Sequence, residues 1–511
     1  MALTAARAAC LRVDALPHVL LLVSQYLDAS AQWSLPRAAQ RGFVHLVRRL
    51  LARTPRSLAT LAEIRLAMRH AAANNHLNIL QLLCKYYNNA VIDEAAVMEA
   101  SANGHVQVLQ WLQRQLESLL PGYADYDFYS VKSVAAAAEN GHLEAVKWLL
   151  QARGAVKCMK ETHLHQAAAR GGHLEVVRWL RTHLMEQVES RALDEAAANG
   201  FVEVVEFLHQ EWTAAKLESN RGSCSATARA MNGAASNGHL GMVKWLDEDR
   251  DDGCTGDAMN RAAWNGHLEV VKWLHEHRTE GCTQQAMNMA AKGGHLEIVQ
   301  FLHEQRREGC TYNAMDWAAH ENHLEIVQWL HANRTEGCSR LTMNEVAKRG
   351  HLEMIKWLHA NRTEGCTVAA LNAAATYGHL DIVKFLHQNR SEGCTTAAMD
   401  GAAENNHLAI VQWLHLHRSE GCTTRAMDMA ARDFPMLKWL HSIYSDDAEE
   451  WPIHAGLAAI TNDRVEVLHW VLKTFRGSAQ LDLRLLYNAA HYHNRAHMLA
   501  YLDGKWAIEF S

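Results

Sequence analysis

Histidine and cysteine are the residues with which this chain could do chemistry, and both occur in rows. Among 33 histidines, one series follows Gly or Asn (His239, His267, His295, His323, His351, His379, His407). A second follows Trp-Leu or Phe-Leu (His275, His303, His331, His359, His387, His415). Seven of the 11 cysteines make a third row (Cys254, Cys282, Cys310, Cys338, Cys366, Cys394, Cys422). Successive members of the first and third rows stand 28 residues apart throughout, so each row gives one residue to every copy of a repeated unit.

Imidazoles and thiolates in such numbers could hold zinc or act as bases and nucleophiles. Spacing argues against it. Equivalent positions on neighbouring packed helices lie about 10 Å apart, whereas zinc ligands sit about 2 Å from the metal and a disulfide needs Cα atoms about 4.4 to 6.8 Å apart. Members of one row therefore share neither a metal nor a disulfide. Within one unit His415, His417 and Cys422 could converge, but turn hydrogen bonding is the preferred reading. The cysteines read as small, free, largely apolar residues at the turns between units. A polar row, Asn260, Asn288, Asp316, Asn344, Asn372, Asp400 and Asp428, reads as a hydrogen-bonded ladder rather than paired catalytic carboxylates, because most members are amides. With no phosphate loop, nucleophile elbow, metal-binding cysteine pair or kinase signature, the chain is expected to be non-enzymatic, without catalytic residues, metal or cofactor.

The elements that carry these rows are legible in a unit such as Cys254 to Gly281. Thr255 is a helix N-cap ahead of Ala258, Met259, Ala262 and Ala263, which fall at helical spacing. Asn265, Gly266 and His267 break that helix. Leu268, Val270, Val271, Trp273 and Leu274 then mark a second amphipathic helix ending near Arg278, with Gly281 as the following break. The anchor recurs at 238, 266, 294, 322, 350, 378 and 406, with looser copies at Gly42, Asn75, Gly104, Gly141, Gly172 and Gly200 and degenerate ones after Met427. About sixteen units fill the chain after residue 36. One such hairpin cannot bury its apolar faces alone, so the units must stack into an all-α solenoid of helix-turn-helix repeats.

The run "AMNRAAWNGHLEVVKWLHEHRTEG" resembles the ankyrin repeat in its Ala-Ala, Gly-His and Val-Val positions, and the resemblance covers about residues 37 to 500. It implies stacked helix pairs whose first helices line a concave groove that binds another protein. The unit departs from the family pattern by being shorter than the usual length of about 33 residues and by placing Met259 and Asn260 where that pattern has Leu and His. Loss of the family's projecting β-turn fingers is therefore expected. The organisation reads as 1-36, a cap or partial F-box-like segment; 37-221, irregular repeats with insertions; 222-441, regular repeats; and 442-511, degenerate repeats and cap.

Composition narrows the partners. Of 511 residues, 49% are hydrophobic, 21% are charged and only 6 are proline, which excludes a mainly disordered chain. A formal charge of -6 disfavours nucleic acid. No apolar run nears the roughly 18 residues of a membrane span, the longest near the start being Val19 to Val23. Free thiols fit a cytoplasmic or nuclear location.

Positions nine, five and two before each anchor vary most and share one helix face. They read Asp257, Arg261, Trp264; Gln285, Met289, Lys292; Asn313, Trp317, His320; and Leu341, Glu345, Lys348, after which Ala369 to Glu404 is bland. Solvent-facing positions also vary by drift, but Trp264, Met289 and Trp317 beside Arg and Lys have the composition of interface anchors. The ankyrin resemblance places this stripe against a protein partner, whose identity the sequence leaves open. Insertions at Leu119 to Tyr129 and Gln210 to Ala226 are further candidate loops. Residues 16 to 28, "LPHVLLLVSQYLD", are similar to the opening of an F-box at Leu16, Pro17, Val19, Leu20, Val23, Tyr26 and Leu27. That likeness implies a ubiquitin ligase adaptor as an alternative partner, and a capping helix is the other reading of the segment.

Overall fold

Each repeat starts and stops on local chemistry. The Thr283 hydroxyl accepts from the Gln285 amide at 3.2 Å, capping a helix Gln284–Gly293 that ends at Gly294 with φ +84°. Left-handed backbone recurs at the anchors from Gly42 to Asn406 and again at Asp463 and Asn494, and among these described joints the residue is Gly, Asn or Asp (Asn322 at +66°, Asn406 at +62°, Asp463 at +60°). His295 follows, and the second helix Leu296–Gln305 buries Ile298, Val299 and Leu302. The first helix buries Ala286, Met287, Asn288, Ala290 and Ala291. Six residues, Arg306 to Thr311, then lead to the next repeat without any strand. The projecting fingers of the longer repeat are thus missing from this link.

The computed structural model describes residues 33–509 apart from 54–60, 88–91, 120–130, 153–162, 185–189, 220–227, 250–252, 431, 445–450 and 476–481. Among the described residues there are 32 helices, falling into sixteen consecutive pairs, and no strand. The F-box-like residues 16 to 28 lie outside the described residues, as does Leu119 to Tyr129 beyond Leu119, the last residue of the helix Val106–Leu119. The other insertion is no loop at its start: residues 210–219 continue the helix Val202–Ser219, and the rest lies outside the described residues. Helix-forming Glu, Lys, Leu and Ala between Glu211 and Ser219 explain the continuation.

The chain divides into two packing units, Met1–Ala262 with Glu269–Gly281, and Ala263–Leu268 with Cys282–Ser511. In each, first helices stack on first helices. The second unit runs Gln284–Gly293, Asn313–His320, Thr342–Arg349, Val368–Thr376, Thr396–Glu404 and Thr424–Ala430, each packed on the next. Ala290, Ala291, Ala318, Ala319, Ala374 and Ala375 are fully buried along this stack, where a methyl is all the helix approach admits. In the first unit Leu35–Gln40, Leu61–Ala73, Glu94–Ala102, Val131–Glu139, His163–Arg170, Ser190–Ala198 and Ala228–Ser236 stack likewise. This is the all-α, ankyrin-type stack of helix-turn-helix repeats.

One core position of the first unit breaks the pattern. Seven residues before the anchor, where later repeats carry Met259, Met287, Met315 and Met343, His165 lies 2% exposed. Its Nε2 has no hydrogen-bond partner.

Candidate protein-binding face

The rows of chemistry-bearing residues turn inward to hold the stack. His295 Nε2–H donates to the Trp264 carbonyl at 3.0 Å, His323 to Lys292 at 3.2 Å and His379 to Lys348 at 3.0 Å, each reaching back one repeat. In the first unit His76 and His105 do the same to Gln40 and Ala73. The second histidine row meets an aromatic of the following repeat edge-on: His303 with Trp329, His331 with Trp357, His359 with Phe385 and His387 with Trp413, at 5.0 to 5.6 Å between centroids. The aromatics of the second helices thus alternate with histidines in one mixed row, Phe385 standing in one of the Trp places.

The polar row ties each repeat to the cap of the next. Asn288 Nδ2–H donates to Thr311 Oγ1 at 3.0 Å, and its Oδ1 accepts from the Thr311 amide at 3.0 Å. Asn344 with Thr367 and Asn372 with Thr395 repeat the arrangement. Where the row carries a carboxylate, Asp400 accepts both the Thr423 amide (2.8 Å) and hydroxyl (2.7 Å). These carboxylates are consumed by capping.

The cysteine row is similarly committed. All described cysteines are free. Burial, reinforced by a neighbouring glutamate, pushes the thiols of Cys254, Cys282, Cys310, Cys338, Cys366 and Cys394 up to about 11. The glutamates go the other way: the Arg278 guanidinium holds Glu280 down at about 2, and Arg390 does so for Glu392. Glu364 accepts from the Cys338 amide at 3.2 Å, so the Arg–Glu pair fastens one turn to its neighbour. A protonated thiol is a poor nucleophile. At pH 8 maleimide should therefore label these thiols roughly 100-fold more slowly in the folded chain than in denaturant; rates within a few-fold of each other would contradict the assignment. Among the described residues no group of three His, Cys, Asp or Glu side chains is placed to hold a metal ion, and His415, His417 and Cys422 form no such group.

The variable stripe is different. Asp257 and Arg261 are exposed on the helix Gly256–Trp264, in the first unit. In the second unit Lys292 Nζ lies over two indole rings, 5.8 Å from Trp264 and 5.6 Å from Trp317, and Lys348 Nζ lies 5.4 Å from the Tyr377 ring. Asn313, Trp317, His320, Leu341 and Glu345 line one open groove of about 570 Å³, together with Tyr312. Trp264 is 43% exposed, Tyr312 52% and Leu341 63%, large apolar surfaces at a water-facing site. His320 Nε2 stands 3.9 Å from Glu345, and Arg349 pairs with Glu321 at 3.1 Å. Gln285 is exposed and Met289 half-buried on the same helix as Lys292, but neither lines the groove. Asp257 and Arg261 do not line it either.

Two residues of this face escaped the sequence reading, Tyr312 and Tyr377. The signal for Tyr377 is its place directly before an anchor, where other units carry Asn265, Gly293 or Asn405. Tyr312 stands where Gly256, Gln284 and Thr396 stand in other units.

The family model for ankyrin repeats, written in three copies, matches residues 133–221, 193–284, 259–339 and 343–428. These spans take in more than half of the sequence, and the chain belongs to the ankyrin-repeat family. Among curated proteins none matches it. Ankyrin repeats are a protein-interaction module. Among the described residues no helix is long and apolar enough to cross a membrane.

Proposed function

We propose that the chain is a non-enzymatic binding scaffold that holds a partner protein against the first-helix face of its regular repeats, with the contact centred on Trp264, Lys292, Trp317, Leu341, Glu345 and Lys348. The observation that carries this reading is the exposure of Tyr312 and Leu341 on one groove, with Trp264 exposed on the far side of Lys292, on a stack whose other aromatic rows are used for packing. Exposed Trp and Tyr beside cations are the composition of binding hot spots, and a hydrophobic cluster on a water-facing helix row has no folding role to explain it. The described cysteines, none of them in a disulfide, fit a cytoplasmic or nuclear setting.

The test is capture of partners from the source cell by the full chain, by Trp317→Ala/Leu341→Ala and by Glu325→Ala on an exposed second-helix position. The recovered partner should be lost with the double variant and kept with the control, and in purified form its Kd should rise at least about 30-fold. Unchanged circular dichroism secures the comparison. A partner held equally by all three proteins would refute the assignment of this face.

A further inference from the structure

The groove between Tyr312 and Glu345 has a charge pattern of its own. Its lining contains three carboxylates, Asp316, Glu336 and Glu345, and neither lysine nor arginine. Two are committed. Asp316 accepts from the Ser339 amide at 2.8 Å and the Thr342 hydroxyl at 2.5 Å, and Glu336 is bound by Arg334. Glu345 is half-exposed, and the His320 imidazole Nε2 stands 3.9 Å from its carboxylate, beyond hydrogen-bonding distance. An uncommitted carboxylate thus shares a groove with two aromatic side chains and an exposed leucine.

We propose that this groove receives a single arginine side chain of the partner, its stem along Leu341, its guanidinium against Tyr312 or Trp317 and on Glu345; the proposal rests on the reading of this face as a binding surface. Arginine fits better than lysine. Its planar, weakly hydrated head stacks on aromatic faces and meets a carboxylate through two parallel N–H bonds, while its methylene stem covers apolar surface. The surroundings limit how many cations are accepted. Lys292 and Lys348 lie on rings to either side, and neither makes an ion pair with a carboxylate among the described residues. Basic neighbours of the incoming arginine would meet these ammonium groups, whereas acidic or uncharged neighbours would not. The segment recognised is therefore one arginine in a neutral to acidic context, not a polybasic run.

The experiment presents the full-length chain with pools of short blocked peptides, random in uncharged and acidic residues around a central arginine, lysine or citrulline, and with a polybasic pool. The arginine pool should bind about 10-fold better than the citrulline pool and better than lysine. Glu345→Gln should abolish that preference, with Glu345→Asp restoring part of it, and added salt should weaken it. Equal binding of arginine and citrulline pools overturns the proposal. So does a preference that survives Glu345→Gln, a stronger polybasic pool, or no pool binding above the Trp317→Ala background up to about 1 mM. The cellular partner separates the two readings: its loss with Trp317→Ala/Leu341→Ala but full retention with Glu345→Gln overturns the arginine alone, and its retention by both variants overturns the binding face as well.

Discussion

Replacing Gly294 with valine will destabilise the second unit by roughly 3 kcal/mol or more, while asparagine, which shares the Cβ contact but tolerates the left-handed backbone, will cost about 1–2 kcal/mol. Gly294 holds φ +84°, where a side chain costs about 1–2 kcal/mol and a β-branched one more. A Cβ there would also stand 2.6 Å from Cε1 of His323, the ring that reaches back over this joint. Displacing the imidazole breaks its bond to the Lys292 carbonyl, a further loss of about 1 kcal/mol. Asparagine is the substitute the protein already uses: Asn322 and Asn406 occupy this joint at +66° and +62°. Repeats are coupled to nearest neighbours, so the loss should concentrate in residues 284–333. Urea unfolding followed by circular dichroism, with amide exchange to localise it, reads the effect. Identical midpoints for the valine and asparagine variants would refute it.

The second large effect is a dependence on acid. Burial, with a smaller contribution from Arg181, holds the His165 imidazole down at about 4, against an ordinary value of 6.5. Because the folded state binds this proton less readily than the unfolded state, titration of this group costs the fold nothing above pH 6.5 and a growing amount as pH falls from 6.5 to 4. A difference of about 2.5 units corresponds to roughly 3 kcal/mol. His165→Met installs the residue that equivalent positions carry and removes a buried nitrogen without a partner. It should stabilise the first unit by about 1–2 kcal/mol at pH 7 and by about 4 kcal/mol near pH 4. Other histidines held low by burial, such as His142, His351 and His407, titrate in both proteins and drop out of the comparison. Parallel stability curves for parent and variant between pH 7 and 4 would show that His165 is not the group concerned.

What could be read from the sequence was whatever repeats. The 28-residue period, the threonine cap, the left-handed anchor and the paired alanines are local signals, and each copy restates them, so helix pairs and their stacking follow. Part of the groove wall, Asn313, Trp317, His320, Leu341 and Glu345, could be found too, because variation within a regular background marks positions the stack does not restrict. Contacts between copies were less legible. That Asn288 completes the cap at Thr311, or that a histidine faces each tryptophan, depends on how two repeats lie against each other. The placement of Lys292 between two indoles depends on the same packing. Tyr312 stands at the helix start, where an exposed residue is unremarkable in sequence until the groove wall beside it is in view.

The joints of the second unit are interchangeable: Asn288 to Thr311, Asn344 to Thr367 and Asn372 to Thr395 are the same bond, and each histidine closes the same way on the repeat before it. Excising or duplicating the 28-residue segment between the Asn344 and Asn372 joints leaves this pair of bonds matched. At the level of the gene, misaligned recombination between near-identical copies becomes a tolerated event rather than a lethal one. Lineages can lengthen or shorten the tract in single steps, and a step that falls before Gln284 moves Trp317, Leu341 and Glu345 to a new ordinal place while keeping them adjacent to one another.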